Sequence, residues 1–168
     1  MEQYQYTDIV CLTLKLPFID NCFDEIISYY VFEHLLNPLI TFKELHPILK
    51  PGDLIFIDTP FLQPLDADPS HCYNITVRGL RQILSYFEEI NSGIFPHHYP
   101  SYSIMMLIQT IWLYIKQKEW QDCLEYWYAL LVQEDNNLNI ALGEKGREIL
   151  AAGVFFEGRK TTENHTKL

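Results

Sequence analysis

Short apolar segments and amphipathic helical segments alternate along the first half of the chain, and this alternation constrains the fold most. Three runs, Asp8–Leu12, Asp24–Ser28 and Asp53–Asp58, are mostly apolar and are bounded by polar or turn residues. Such runs are typical of strands that are covered on both faces in a parallel sheet. The sequence therefore predicts three strands of one sheet.

Two helices are predicted among these strands. Asn37 caps the first, with Pro38 at its first position and Pro51-Gly52 as its terminator, and Thr76 caps the second. Apolar residues recur at spacings of three and four in both helices, namely Leu39, Phe42, Leu45 and Leu49, then Val77, Leu80, Ile83, Leu84 and Phe87. This order predicts right-handed crossovers and an α/β sheet.

The pattern changes in the second half of the chain. A strand is expected around Glu88–Phe95, followed by two aromatic-rich helices over Ser103–Gln117 and Glu119–Gln133 and a last strand over Ile149–Phe156. We therefore expect an antiparallel hairpin at the C-terminal end of the sheet, with the helices inserted in its connection. The apolar run Tyr102–Ile115 is too short to span a membrane, and core packing is favoured for it over a lid or a dimer face.

Length and charge limit the possible functions. The chain has 168 residues, which predicts a single domain over residues 1–160 with a frayed polar tail over residues 161–168. Its formal net charge of −10 disfavours nucleic acid and anionic membrane surfaces as partners. A neutral or cationic small molecule, or a protein, is the expected partner.

Cysteine and histidine patterns indicate neither a metal site nor a secreted disulfide framework. The four cysteines have no paired metal spacing, and the N-terminus has no signal pattern. We therefore expect reduced thiols and a cytoplasmic location. Adjacent histidines rarely face one ion, so His97-His98 is interpreted as a loop rather than as a metal pair.

Three segments carry a resemblance to a known family. Leu16–Ser28, Val31–Leu35 and Leu49–Asp53 together resemble the middle of a class I S-adenosylmethionine-dependent methyltransferase. The segments Thr59–Pro64 and Ala152–Lys160 are similar to a bacterial branch of that family that methylates small molecules, often in sugar or lipid pathways.

The resemblance implies a Rossmann-like sheet that lacks its first part. In this family a glycine-rich loop grips the cofactor upstream of the matched segments, and only about fifteen residues precede them here. We therefore expect S-adenosylmethionine to be the family cofactor, with weak or absent binding by this chain alone. The family fold also implies that Asp24–Ser28 has an unpaired inner edge. Three alternatives stay open: Asp8–Leu12 pairs with this edge, a second chain or self-association covers it, or the natural protein starts earlier and is longer than this sequence.

The resemblance assigns cofactor contacts to two loops. Leu12 and Thr13 fall where the family contacts adenine, although the usual acidic residue is missing there. The loop that holds the methionine part of the cofactor corresponds to Ser28, Tyr29 and Tyr30. His34, beside Glu33, opens the element that follows and completes this predicted set.

Acceptor-handling residues are expected after the strand Asp53–Asp58, where the loop overhangs the predicted pocket. His71 is the candidate base near neutral pH, with Tyr73 beside it, and Asp66 and Asp68 are further candidates. Methyl transfer needs only an acceptor aligned with the methyl carbon and, for some acceptors, a base. Two functions stay open: a small-molecule methyltransferase with an incomplete cofactor site, or a non-catalytic interaction or remnant protein with a methyltransferase shell.

Overall fold

The computed structural model describes residue 9 and residues 11–65 and 71–161 of the chain. Its regular elements in chain order are β1 (Phe23–Tyr29), α1 (Pro38–Ile48), β2 (Leu49–Pro60), α2 (Val77–Ile83), β3 (Phe87–Gly93), α3 (Pro100–Tyr114), α4 (Lys118–Ile149) and β4 (Gly153–Lys160). Two short 3₁₀ turns, Phe32–His34 and Pro96–His98, follow β1 and β3.

The described strands form one mixed sheet in the order β1-β2-β4-β3. β1 and β2 are parallel neighbours, with Tyr29 opposite Asp58, and α1 lies in the connection between them. β4 runs antiparallel to both β2 and β3. The predicted α/β class is therefore confirmed, including the parallel pair of strands and the C-terminal antiparallel hairpin with helices inserted between β3 and β4.

One face of the sheet carries the apolar core. Ile55 and Ile57 of β2 are fully buried there, in a cluster that reaches α1 through Phe42 and α2 through Leu80. Phe32 stacks on Phe42 with 4.6 Å between ring centroids. Since successive strand residues face opposite sides, Phe56 and Asp58 lie on the other face, where Phe56 contacts the rings of other aromatic residues, namely Tyr29, Phe95 and Phe155.

Both predicted helix caps are present. The Asn37 side chain accepts a hydrogen bond from the Ile40 amide at 3.2 Å, and Thr76 accepts one from the Gly79 amide at 3.0 Å. These bonds satisfy amides of the first helical turn that have no partner within the helix.

Several predictions about elements are wrong. Ile9, Cys11 and Leu12 are not in a strand, and the rest of the predicted strand Asp8–Leu12 lies outside the described residues. Leu39 is exposed, because α1 buries the neighbouring side of the helix, and Leu49 is buried as the first residue of β2 rather than as the end of a helix. α4 extends well beyond the predicted Glu119–Gln133 and is interrupted at Gly143, where φ is 64°.

α3 and α4 pack against each other as a long excursion from the sheet. Only the start of α3 is buried, and its outer half exposes Trp112, Leu113 and Tyr114. The prediction of core packing is therefore wrong for that half. In the described part of the chain, no helix combines the length and apolar character needed to cross a membrane.

β1 is the edge strand opposite β3. Within the described ranges no other strand pairs with its outer side. Ile27 and Tyr29 of this strand are more than half exposed, at 52% and 58%. The unpaired edge that the resemblance implies is thus present among the residues that the structure describes.

Candidate functional site

The C-terminal ends of β1 and β2 meet at one edge of the sheet. The Tyr30 amide donates a hydrogen bond to the Asp58 carbonyl at 2.9 Å, so the chain leaving β1 is anchored to the end of β2. Tyr30 has a φ of 53°, in the left-handed region that bulky residues rarely occupy. Such strain is often found at functional sites, where the surrounding structure maintains it.

Three predicted cofactor residues, Ser28, Tyr29 and Tyr30, follow one another at this edge. The Ser28 hydroxyl oxygen is buried and has no hydrogen-bond partner among the described residues. The Tyr29 ring packs against Phe56, with 5.4 Å between centroids. Partial burial, together with the negative charges of Asp58 and Glu33, raises the pKa of Tyr30.

Glu33 is a buried acidic residue at this edge. The residue is 3% exposed, and its carboxylate accepts a hydrogen bond from the Thr59 hydroxyl at 3.4 Å. Burial raises the pKa of the Glu33 carboxyl, and hydrogen bonding and the nearby His34 and His71 oppose that shift. The Glu33 carbonyl also accepts the amides of Cys72 and Tyr73, which joins the turn after β1 to the loop after β2.

The structure places His34 beside the predicted catalytic loop. Its Nε2 atom lies 3.7 Å from Glu33 Oε1, and its ring centroid lies 5.9 Å from that of His71. The predicted cofactor residue His34 and the predicted base His71 are therefore neighbours.

His71 and Tyr73 are held by hydrogen bonds in that loop. His71 Nε2 lies 3.0 Å from the Tyr73 carbonyl and 2.9 Å from Asn74 Oδ1, and since both are acceptors, Nε2 carries the proton. The Asn74 amide group donates to the Gln63 carbonyl, which fixes its orientation. The Tyr73 hydroxyl donates to the Leu36 carbonyl at 3.1 Å, so its proton already stabilises the turn before α1.

The contacts that the structure describes do not bring the remaining predicted residues to the edge formed by the ends of β1 and β2. Leu12 is 77% exposed, and Thr13 lies in a turn in which the Lys15 amide donates to the Leu12 carbonyl. The Leu16 amide of the same segment bonds to Glu44 in α1. Asp66 and Asp68 lie outside the described residues.

Sequence reasoning missed a second group at the same edge. His97 and His98 lie in a turn, as predicted, but both imidazoles reach the carboxylate of Asp58, at 3.3 Å and 3.0 Å. Asp58 and His98 are fully buried, whereas the His97 side chain is 53% exposed. Asp58 at the end of the apolar run Leu54–Ile57 was the available sequence signal, and it does not identify its partners.

The turn that carries these histidines is tightly anchored to β4. The His98 carbonyl accepts the Ala152 amide at 2.7 Å. A Cβ atom at Gly153 would lie 2.8 Å from His98 Cδ2 and 3.1 Å from the Thr59 carbonyl oxygen. Glycine at this position therefore permits the close approach of His98 to the sheet.

Comparison with known proteins gives a family match and a set of structural matches. Residues 2–57, a third of the chain, match the model of the methyltransferase domain family. No curated protein matches the chain.

Three solved structures share the fold over nine-tenths of the chain or more. The 4+2 cyclase SpnF matches with a TM-score of 0.55 and 15% identity, over 91% of this chain and 56% of that one. A putative sarcosine dimethylglycine methyltransferase from Galdieria sulphuraria matches with a TM-score of 0.53 and 17% identity, over 90% of this chain and 58% of that one. Phosphoethanolamine N-methyltransferase 2 from Haemonchus contortus, in complex with S-adenosyl-L-methionine, matches with a TM-score of 0.52 and 16% identity, over 90% of this chain and 36% of that one. The chain spans less than two thirds of each of these proteins. At such identities the likeness shows the fold alone.

The family match and the mixed sheet support the same conclusion as the sequence segments. The sheet of this chain contains the parallel pair β1 and β2 and the antiparallel hairpin of β3 and β4, and the structural matches cover nine-tenths of the chain that holds them. These findings agree with the resemblance to the class I S-adenosylmethionine-dependent methyltransferases: a third of the chain matches the methyltransferase domain family, whose cofactor is S-adenosylmethionine, and nine-tenths of the chain shares the fold.

Proposed function

We propose that this chain is the acceptor-side module of an S-adenosylmethionine-dependent methyltransferase that acts on a small molecule. The observation that carries the proposal is the edge at Ser28, Tyr29 and Tyr30, where a buried hydroxyl lacks a described partner and a tyrosine adopts a left-handed conformation. Ligands of open α/β sheets bind at this carboxyl edge of the strands. The family uses the same loop for the methionine part of its cofactor.

The acceptor that we propose is neutral or cationic. The net charge of −10 repels anionic macromolecules and attracts cations. Two of the structural matches are named as methyltransferases of small amines. A small amine or hydroxyl compound of a sugar or lipid pathway fits the charge and the resemblance, and we place the reaction in the cytoplasm because Cys11, Cys22 and Cys123 are free thiols.

We further propose that these 168 residues alone bind S-adenosylmethionine weakly. Full affinity then requires a further chain or segment against the open edge of β1, which supplies the backbone donors of a glycine-rich loop. Support for this comes from the exposed side chains of Ile27 and Tyr29 on that strand. A second copy of this chain is the alternative cover for the same edge.

Ligand mapping by nuclear magnetic resonance tests the proposal. The ¹⁵N-labelled chain is titrated with S-adenosylhomocysteine into the millimolar range, and amide shifts are followed residue by residue. We expect saturable shifts at Ser28, Tyr29, Tyr30 and His34, with a dissociation constant weaker than about 100 µM. Shifts confined to α3 and α4, or no shifts, would contradict the proposal and favour a non-catalytic interaction protein.

Two tyrosine variants make the mapping specific. Tyr30 and Tyr86 are almost equally exposed, at 45% and 44%, but Tyr86 precedes β3 at the opposite edge of the sheet, beside His46. We expect Tyr30→Ala to weaken the ligand-induced shifts and Tyr86→Ala to leave them unchanged. Equal effects of the two variants would show that the shifts do not report a site at the end of β1.

A further inference from the structure

Asp58, His97 and His98 form a polar cluster that the candidate cofactor residues do not include. Asp58 lies near the C-terminal end of β2, opposite Tyr29 of β1, and both histidines belong to the turn Pro96–His98. Asp58 and His98 are fully buried, and only His97 reaches the surface. A buried carboxylate that faces two imidazoles requires an explanation, because burying such a group is costly unless its hydrogen bonds are satisfied.

The hydrogen bonds of His98 fix its proton. The Phe95 amide donates to His98 Nδ1 at 3.1 Å, so Nδ1 is an acceptor and the proton lies on Nε2. Nε2 then donates to Asp58 Oδ1 at 3.0 Å. His98 is therefore a fixed donor that holds the Asp58 carboxylate in place.

This proton position argues against a cation site. The ligating atoms of Asp58, His97 and His98 lie within 4.8 Å of one another, which is compatible with a metal ion. However, a protonated His98 Nε2 has no lone pair to donate, which leaves two ligands. Protein sites for zinc supply at least three.

His97 is oriented by contacts on two sides. Its Nε2 lies 3.3 Å from Asp58 Oδ2 and donates to it, because the carboxylate oxygen is an acceptor. Its ring stacks on Phe95 at 5.5 Å, and Phe95 stacks on Phe155 of β4 at 4.0 Å. With the proton on Nε2, the lone pair is on Nδ1, and the ring cannot turn without breaking both contacts.

A carboxylate that orients an imidazole and leaves its other nitrogen available is an effective arrangement for a general base. The cluster also lies at the candidate site, because the Asp58 carbonyl accepts the amide of Tyr30. Asp58 thus contacts His97 through its carboxylate and the predicted cofactor loop through its backbone carbonyl.

We propose that His97 Nδ1 accepts the proton of an amine or hydroxyl methyl acceptor, with Asp58 and His98 as positioning residues, an inference that rests on the proposed function. A lone pair of the acceptor atom forms the bond to the methyl carbon, and the carbon–sulfur bond breaks with its electron pair moving to sulfur. The acceptor proton passes to His97, and the Asp58 carboxylate stabilises the resulting imidazolium. S-adenosylhomocysteine and the methylated acceptor are the products.

The first test measures the proton positions without methyl transfer. Imidazole ¹⁵N shifts of the full chain are expected to show Nε2–H tautomers for both His97 and His98. In Asp58→Asn, the amide supplies a donor as well as an acceptor, so the preference of His97 for the Nε2–H form is expected to weaken. A proton on Nδ1 of neutral His97, or micromolar Zn²⁺ binding that requires His98, would overturn the proposal.

The second test measures S-adenosylhomocysteine formation at millimolar S-adenosylmethionine with ethanolamine, which is cationic, and dimethylglycine, which is net neutral, as probes. His97→Gln is expected to lower turnover by about 10²–10⁴-fold with little change in KM for S-adenosylmethionine. His46→Gln, in α1 and beside Phe87, is the control with unchanged turnover. A large loss in His71→Gln with a loss of less than threefold in His97→Gln would assign the base to His71 and overturn the proposal.

Failure of the proposed function gives a different result. In that case the unaltered chain forms no S-adenosylhomocysteine with any probe, and the amides of Ser28, Tyr29 and Tyr30 do not shift with ligand. That result overturns the catalytic role of His97 together with the function. Shifts at Tyr30 with turnover that His97→Gln leaves unchanged refute His97 alone.

Discussion

Lys160, the last residue of β4, contacts the segments at the N-terminal ends of β1 and β2, which lie at the opposite end of these strands from the candidate site. We expect removal of its ammonium group to lower the free energy of unfolding. Its ammonium donates to Asn21 Oδ1 at 3.0 Å, to the Pro47 carbonyl at 3.1 Å and to the Leu49 carbonyl at 2.6 Å. These acceptors lie before β1, at the end of α1 and at the start of β2. One side chain thus connects the last strand to both strands of the parallel pair.

The size of the effect follows from the hydrogen bonds that the Lys160 ammonium supplies. Pro47 also accepts the Asn21 amide, so Lys160→Met leaves that carbonyl satisfied. Two hydrogen bonds remain at stake, and a bond to a charged group contributes about 1.5–3 kcal/mol. Burial lowers the pKa of Lys160, which shows that desolvation offsets part of this gain. We therefore expect Lys160→Met to lower the free energy of unfolding by about 2 kcal/mol.

Urea and thermal denaturation, followed by circular dichroism, measure this loss. A loss of about 2 kcal/mol corresponds to a melting temperature lower by about 4–8 °C for a chain of this size. Lys118→Met is the matched control, since Lys118 is 70% exposed and solvent screens its ion pair with Asp122 one helical turn away, so little change in stability is expected. The reasoning is refuted if both variants unfold at the same urea concentration, or if Lys160→Met is as stable as the unaltered chain.

Two further substitutions test the edge that carries the candidate site. Glu33→Gln keeps an acceptor for Thr59 but removes the ionisable group. Burial raises the pKa of Glu33 in the folded state, so the folded chain binds this proton more tightly than the unfolded chain does. The unaltered chain therefore loses stability as pH rises through the folded-state pKa. The stability of Glu33→Gln relative to the unaltered chain should therefore be greater at pH 7 than at pH 4 in urea titrations, and a constant difference would contradict the assignment. Gly153→Ala places a methyl group 2.8 Å from His98 Cδ2 and should cost about 1–3 kcal/mol in the same assay. If it costs nothing, His98 does not pack against β4 as described.

Local sequence signals predicted most of the fold. Asn37 and Thr76 mark helix starts because their side chains satisfy backbone amides within the next few residues, which is a local property. The runs around β1 and β2 are strands because both are short, apolar and bounded by polar residues. The limits of α4 were missed because its second half, which is mostly polar, carries no apolar stripe that would distinguish it from a loop.

The candidate site was less predictable than the fold. Ser28, Tyr29, Tyr30 and His34 were found through a family resemblance, and their roles remain predictions. The contact of Asp58 with His97 and His98 joins residues about forty positions apart. It depends on the order β2-β4-β3, which brings the turn after β3 to the end of β2, and no local pattern encodes that approach.

Calorimetric titration of the 168-residue chain with S-adenosylmethionine measures directly how much of a cofactor site these residues form. We propose that the ends of β1 and β2 form the acceptor side of a methyltransferase site and that the rest of the cofactor contacts come from outside these residues. We therefore expect a dissociation constant weaker than about 100 µM, together with ligand-induced shifts at Tyr29 and Tyr30. Low-micromolar binding by this chain alone would contradict it, because the described strands would then hold the cofactor without a glycine-rich loop.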